Sequence, residues 1–204
     1  MGEMIKMVVV LTVLSVVSGG SLSWLKDFTG PKIENQVMNL VKGPAIRQIL
    51  NEADNDPVED RFKITDGDVE RNVFVGVFGG TADTVVVEAS ASGYGDKVGM
   101  VVAINMAEES LRGIAVTTHK ETPGLGAMAK DDPNFAAQFA GKSITESFGV
   151  TTDGGQISAL SGATITSRAV CSGVNQAVET FNRLKPQLDE KIEAELNQYI
   201  SSIS

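Results

Sequence analysis

The chain has 204 residues, enough for one ordinary domain plus a targeting or membrane element. A net charge of −9 and a pI near 4.6 argue against nucleic acid as a partner, since phosphates draw basic surfaces. Cys171 is the single cysteine and His119 the single histidine, which rules out an intrachain disulfide and four-thiolate iron–sulfur ligation and leaves no metal site to expect. A redox role for this inventory requires an organic cofactor.

Met7 to Leu25 is one apolar run flanked by Lys6 and Lys26, with no charge inside it. A helix of that length just crosses a hydrocarbon core, and Trp24 falls where an interfacial aromatic belongs. Ser18-Gly19-Gly20-Ser21 offers the competing reading of a cleaved signal peptide. Glu3 in the leading segment and the resumed apolar character at Leu22, Trp24 and Leu25 favour a retained anchor. The expected organisation is an anchor over 1–27, a helical stalk over 28–60 and a folded domain over 61–204.

Pro31 to Asn55 reads as two short helices. Ile33, Val37, Leu40 and Val41 recur at helical spacing, and Gly43-Pro44 breaks the run. Asp54 to Asp60 is a turn. Val73–Phe78, Thr84–Ala91, Val98–Met106 and Gly113–Thr118 are β-branched and bounded by turn residues. Gly79-Gly80 and Gly93-Tyr94-Gly95 suit antiparallel connections. From Val170, the positions Val174, Ala177, Val178, Phe181 and Leu184 trace one face of a long helix. Pro186 is expected to interrupt it, with a charged continuation over Leu188 to Ile200 whose Asp189, Glu190, Lys191, Glu193 and Glu195 form a solvent face. The fold class is therefore α+β: an apolar N-terminal helix, then a mainly antiparallel sheet with packed helices.

Two short segments carry chemistry. Ser161-Gly162-Ala163-Thr164-Ile165-Thr166-Ser167 places four hydroxyls and an uncrowded backbone where a loop becomes a helix, a place suited to a phosphate. Taken alone, such a start is more often a helix cap. Glu121-Thr122-Pro123-Gly124-Leu125-Gly126 follows the last strand. Its proline and glycines fix a tight path along which backbone can approach a planar ring, while Glu121 and Thr122 offer polar groups to the ring edge. As an isolated stretch it is a strand-to-helix turn. No dinucleotide fingerprint or Walker sequence occurs. His119 lacks a base–nucleophile partner and is a candidate for the cofactor's surroundings only. Cys171, in the helix, reads as a buried inert thiol.

SGATITS resembles the flavinylation motif of the FMN-binding G subunit of the ion-translocating Rnf complex and of the related C subunit of the sodium-translocating NADH:quinone reductase. ETPGLG resembles that family's second FMN-contacting segment, and Ser92-Gly93-Tyr94-Gly95 its small-residue turn. The resemblance implies FMN joined by a phosphodiester to Thr164. Ser161, Gly162, Ala163, Thr166, Ser167, Gly93, Tyr94, His119, Glu121, Thr122, Pro123, Gly124, Leu125 and Gly126 are the further candidates for the site.

It also implies a single-pass component of a membrane redox pump that relays electrons during ferredoxin:NAD oxidoreduction coupled to sodium or proton movement. The flavin domain would face outward, and a flavin transferase would mature the chain. The alternatives are the flavin-carrying C subunit of a quinone reductase and a non-redox flavin-binding anchor or sensor. One departure stands out. The family usually has an aspartate six residues before the acceptor threonine, and this chain has Ser158.

Overall fold

The computed structural model describes residues 2–203, with side chains described for all of these except Pro31, Glu34 and 193–203. Two compact units are distinguished, Met1–Val41 and Lys42–Ser204.

In the first unit, α1 (Gly2–Val37) is one helix whose described apolar side chains are largely exposed, and it is long and apolar enough to cross a membrane. Its two threonine hydroxyls are turned back onto the helix. Thr12 Oγ1 donates to the Val8 carbonyl at 2.8 Å and Thr29 Oγ1 to the Leu25 carbonyl at 2.7 Å, which removes two polar groups from the surface. Towards its C-terminal end Trp24 stacks on Phe28 at 5.6 Å, and Lys32 Nζ lies 4.6 Å from the Phe28 centroid. Aromatic and cationic groups at successive turns are the composition of a bilayer interface.

The two short helices expected between Pro31 and Asn55 are not separate. Helix α1 runs on to Val37, a π-helical turn occupies Met38–Lys42, and α2 covers Gly43–Ile49. Pro44 does not break the chain because it sits in the first turn of α2, where a missing N–H is no loss.

The second unit is built on five antiparallel strands in sequential order: β1 (Phe62–Asp66), β2 (Val69–Phe78), β3 (Thr81–Ser92), β4 (Lys97–Asn105) and β5 (Ser110–Thr118). The β2–β3 hairpin closes through Gly79 and Gly80, both at positive φ, as the two-residue turn requires. Strand β1 adds to the four strands expected from the sequence. Only Ile64 of its five residues is buried, so it carries almost no apolar signal.

Side chains alternate across the sheet. Val73, Val75, Val85, Val87, Met100, Val102 and Ile104 face a core shared with Phe135, Phe139 and Phe148 and with helix α5 (Thr164–Ile203). Phe74 and Val86 alternate with them on the opposite face, where Ile49 and Leu50 approach Gly113 and Gly76.

Along α5, Val170, Val174, Ala177, Phe181, Leu184 and Leu188 recur every three or four residues and are all buried. Pro186 does not interrupt α5. It lies on the exposed side between Leu184 and Leu188, so burial of both neighbours holds the backbone helical across the one forfeited hydrogen bond. Asp66 fixes the sheet edge to this helix. It accepts from Arg71 and, with both oxygens, from Arg183, and these two guanidinium groups hold its carboxyl down at about 2. Asp189, Glu190 and Lys191 are exposed, whereas the Glu193 and Glu195 side chains lie outside the described residues.

Phe181 is 1 % exposed within this core. Phe181→Ala is expected to destabilise the domain by about 3–5 kcal/mol through lost transfer energy and an unfilled cavity, measured by denaturant unfolding.

Candidate functional site

After β5 the chain turns at Thr122-Pro123-Gly124-Leu125. The Leu125 N–H reaches the Thr122 carbonyl at 3.2 Å, and Gly124 takes a φ of +73°, with proline preceding it as in a type II turn. The chain continues into two short helices, α3 (Met128–Asp131) and α4 (Pro133–Ala137). A similar turn, Leu160 to Ala163, closes with a 3.0 Å bond and has Gly162 at φ +72°. It delivers the chain into α5 at Thr164. The two turns meet, since an added Cβ on Gly162 would lie 3.1 Å from Leu125 Cδ2.

Between them lies a cleft of about 540 Å³ lined by Tyr94, Glu121, Thr122, Leu125, Gly126, Gly162, Ala163, Thr164, Ile165 and Thr166. The three segments singled out in the sequence thus converge on one cavity. Tyr94, Leu125 and Ile165 are exposed at 73 %, 46 % and 48 %, an apolar rim around a polar floor. Ile165 adds to the candidates named from the sequence, and its signal was its place inside the hydroxyl-rich motif.

Gly93, His119, Pro123, Gly124, Ser161 and Ser167 adjoin these segments without lining the cleft. The Glu121 N–H donates to His119 Nδ1 at 3.2 Å, which assigns the ring hydrogen to Nε2. Gly93 and Gly126 permit close approach. A Cβ on either would fall 2.5–2.6 Å from a Glu121 carboxylate oxygen. Pro123 and Gly124 shape the first turn, Ser161 is exposed in the second, and Ser167 is fully buried.

The four hydroxyls of the helix start are not equivalent. Ser167 Oγ donates to the Ala163 carbonyl and accepts the Leu160 N–H, each at 3.0 Å. Thr166 is 2 % exposed and donates to Glu121 Oε2 at 2.5 Å. The other oxygen, Glu121 Oε1, accepts the Gly95 N–H at 2.9 Å. Burial pushes the Glu121 carboxyl up, but the Thr166 hydroxyl and the Gly95, Tyr94 and Asp96 amides outweigh it and hold the group below the usual carboxylate range. Ser161 and Thr164 have hydroxyls without a partner among the described residues. Of these two, Thr164 is half-buried and lines the cleft.

Ser158 is exposed on the approach to this helix. Its backbone is held by Gln138, whose Oε1 accepts the Ser158 N–H at 2.7 Å. Asp153, the nearest acid in the upstream loop, is engaged by Arg168 at 2.7 and 2.8 Å. Ser158→Asp therefore meets no packing obstacle. It is expected to fold as the parent does and to raise or preserve flavin occupancy, measured as absorbance per protein. A fall in occupancy would show that position 158 is not aligned with the family's aspartate.

A cleft of this volume is in the range that holds cofactors. Its glycine-lined floor, aromatic and aliphatic rim and unpartnered hydroxyl at a helix start fit a planar ring carrying a phosphate. The FMN-binding domain family matches residues 93–179, a span that contains all three cleft segments. The chain is 34 % identical to the G subunit of the ion-translocating oxidoreductase complex of Cereibacter sphaeroides, over 87 % of this chain and 84 % of that one. It is 33 % identical to the G subunit of the Na(+)-translocating ferredoxin:NAD(+) oxidoreductase complex of Acetobacterium woodii, over 88 % and 92 %. The fold is similar to that of the C subunit of the Na(+)-translocating NADH-quinone reductase from Parabacteroides distasonis, with a TM-score of 0.58 and 21 % identity over 74 % of this chain and 92 % of that one. This is an FMN-binding domain. The chain belongs to the G-subunit family of the ion-translocating oxidoreductase complexes.

Proposed function

We propose that this chain is the flavin-carrying component of an ion-translocating ferredoxin:NAD(+) oxidoreductase complex, with FMN held by a phosphodiester at Thr164. One observation carries the reading: of four hydroxyls at the helix start, Thr164 alone both faces the cleft and lacks a hydrogen-bond partner among the described residues. Bound FMN supplies reversible electron acceptance and donation. The chain's own part is to hold and orient it. The start of α5 would offer its unpaired amides to the phosphate, Gly126 and Gly162 would let backbone approach the ring, and Leu125 and Ile165 would shield it from water.

Attachment uses the Thr164 hydroxyl as nucleophile toward an activated flavin nucleotide anhydride, brought by a flavin transferase. A phosphorus–oxygen bond to Oγ1 forms, the anhydride bond breaks, the nucleoside monophosphate leaves with the electron pair, and the hydroxyl proton passes to a base of the transferase.

Residues 1–27 form the anchor and 28–60 the stalk of this reading, with the domain over 61–204 on the outer side of the membrane. Tethering raises the effective concentration of the domain at its redox partners. Intact mass of the chain, purified from cells containing an active transferase, tests the attachment, and an unmodified mass overturns it. Deleting residues 1–26 is expected to release a folded domain into the soluble fraction and to abolish electron exchange with the membrane complex. A mature chain whose N-terminus begins near Ser21 would overturn the anchor, and a domain protected from added protease in intact spheroplasts would overturn the orientation.

A further inference from the structure

Among the described residues lining the cleft, Glu121 is the single side chain with a formal charge; the rest are hydroxyl, apolar or glycine. Its place is determined from both ends. Oε1 takes the Gly95 N–H and Oε2 the Thr166 hydroxyl, so neither oxygen can turn away. No cation among the described residues is paired with it. The neighbouring Lys120 is directed to Asp96 at 2.7 Å, and both of these are on the exposed side of the turn. Dipoles alone stabilise the anion, and they leave its net charge in the wall of the cavity.

We infer that Glu121 is a potential-setting residue: its clamped carboxylate lowers the reduction potential of the flavin in this cleft. The inference rests on the flavin assignment proposed above. Reduction adds two electrons to the ring, and wherever fewer protons than electrons are taken up the ring gains negative charge. A fixed anion in a wall of low dielectric opposes that gain and favours the oxidised form. The same clamp keeps the carboxylate ionised and stationary, so its field is constant through the cycle. Low potential is the useful direction for a carrier that must pass electrons onward and not retain them.

The experiment is a reductive titration of the full-length, flavin-loaded chain with dithionite in the presence of redox dyes, followed by loss of the oxidised flavin's absorbance. Glu121→Gln is expected to raise the midpoint by at least a tenfold change in the oxidised-to-reduced ratio, about 30 mV for a two-electron couple. Thr166→Val keeps the carboxylate while removing one of its two anchors, and its midpoint is expected to move clearly less than that of the Gln variant. Leu125→Lys adds a countercharge at the exposed rim without disturbing the clamp, and is expected to move the midpoint upward as well.

An unmoved midpoint in the Gln variant overturns the assignment. So does an equal rise in Gln and Val variants, which marks a loosened cleft and not a lost charge. Should the Gln variant fail to retain flavin, an unmoved midpoint in the Lys variant overturns it on its own. A parent chain without flavin overturns the underlying assignment and this one together, whereas a loaded parent with unmoved variants overturns this one alone.

Discussion

Thr164→Val is expected to give a folded chain with no covalent flavin: the fluorescent band of the denatured parent disappears completely, while the unfolding free energy stays within about 0.5 kcal/mol of the parent. The stability half of this expectation follows from the half-buried threonine having no hydrogen bond to lose. The chemical half follows from the state of its neighbours. Ser167 and Thr166 have hydroxyls committed to the Ala163 carbonyl and to Glu121, so neither substitutes as nucleophile. Thr166→Val is expected to retain the band. If the valine chain at 164 still fluoresces and the flavin peptide carries Thr166 or Ser161, the assignment to Thr164 is wrong.

The second large effect is expected at Gly126. A methyl group there would lie 2.6 Å from Glu121 Oε2 and 2.7 Å from Thr166 Oγ1, inside the hydrogen bond that joins them. Gly126→Ala is expected to cost about 1–3 kcal/mol from overpacking. It should also reduce flavin occupancy, because the wall carrying Leu125 is pushed off the start of α5. Thermal unfolding and absorbance per protein read the two consequences separately. An alanine chain with parental stability and occupancy would mean that Glu121 and Thr166 are not clamped together in solution.

Much of the molecule was legible because its signals are local. Runs of β-branched residues bounded by turn residues specified β2 to β5, paired glycines suited the β2–β3 hairpin, and the apolar stripe from Val170 specified α5. The failures occurred where a local rule is overruled by packing. Pro186 is a helix breaker in isolation, but buried Leu184 and Leu188 on either side keep α5 continuous. Gly43-Pro44 reads as a stop, yet proline in the first turn of α2 is a start. Strand β1 has one buried residue and owes its existence to pairing with β2, which the segment itself does not encode.

At the site the same division holds. The motifs Gly93–Gly95, Glu121–Gly126 and Ser161–Ser167 were visible as unusual stretches, but the ranking of four hydroxyls was not. It depends on a contact between residues 45 positions apart. Glu121 shows the limit most clearly. As a sequence feature it offers a carboxylate to a ring edge. In the fold both oxygens are already occupied by the protein.

The placement of the cleft on α5 has a consequence for how the molecule breathes. The helix that begins at Thr164 is also the one whose Val170, Val174, Phe181 and Leu188 fill the centre of the domain. The amides of its buried stretch, Val170 to Leu188, should therefore exchange with solvent only when the whole domain opens, while those of the exposed Gly124 and Leu125 exchange through small local openings. A group fastened to the first turn of α5 sits at the head of the slowest-opening part of the protein. In the reading proposed above, the exposed turn from Thr122 to Leu125 would let the mouth of the cleft adapt to redox partners while the cofactor and the clamped Glu121 keep their places.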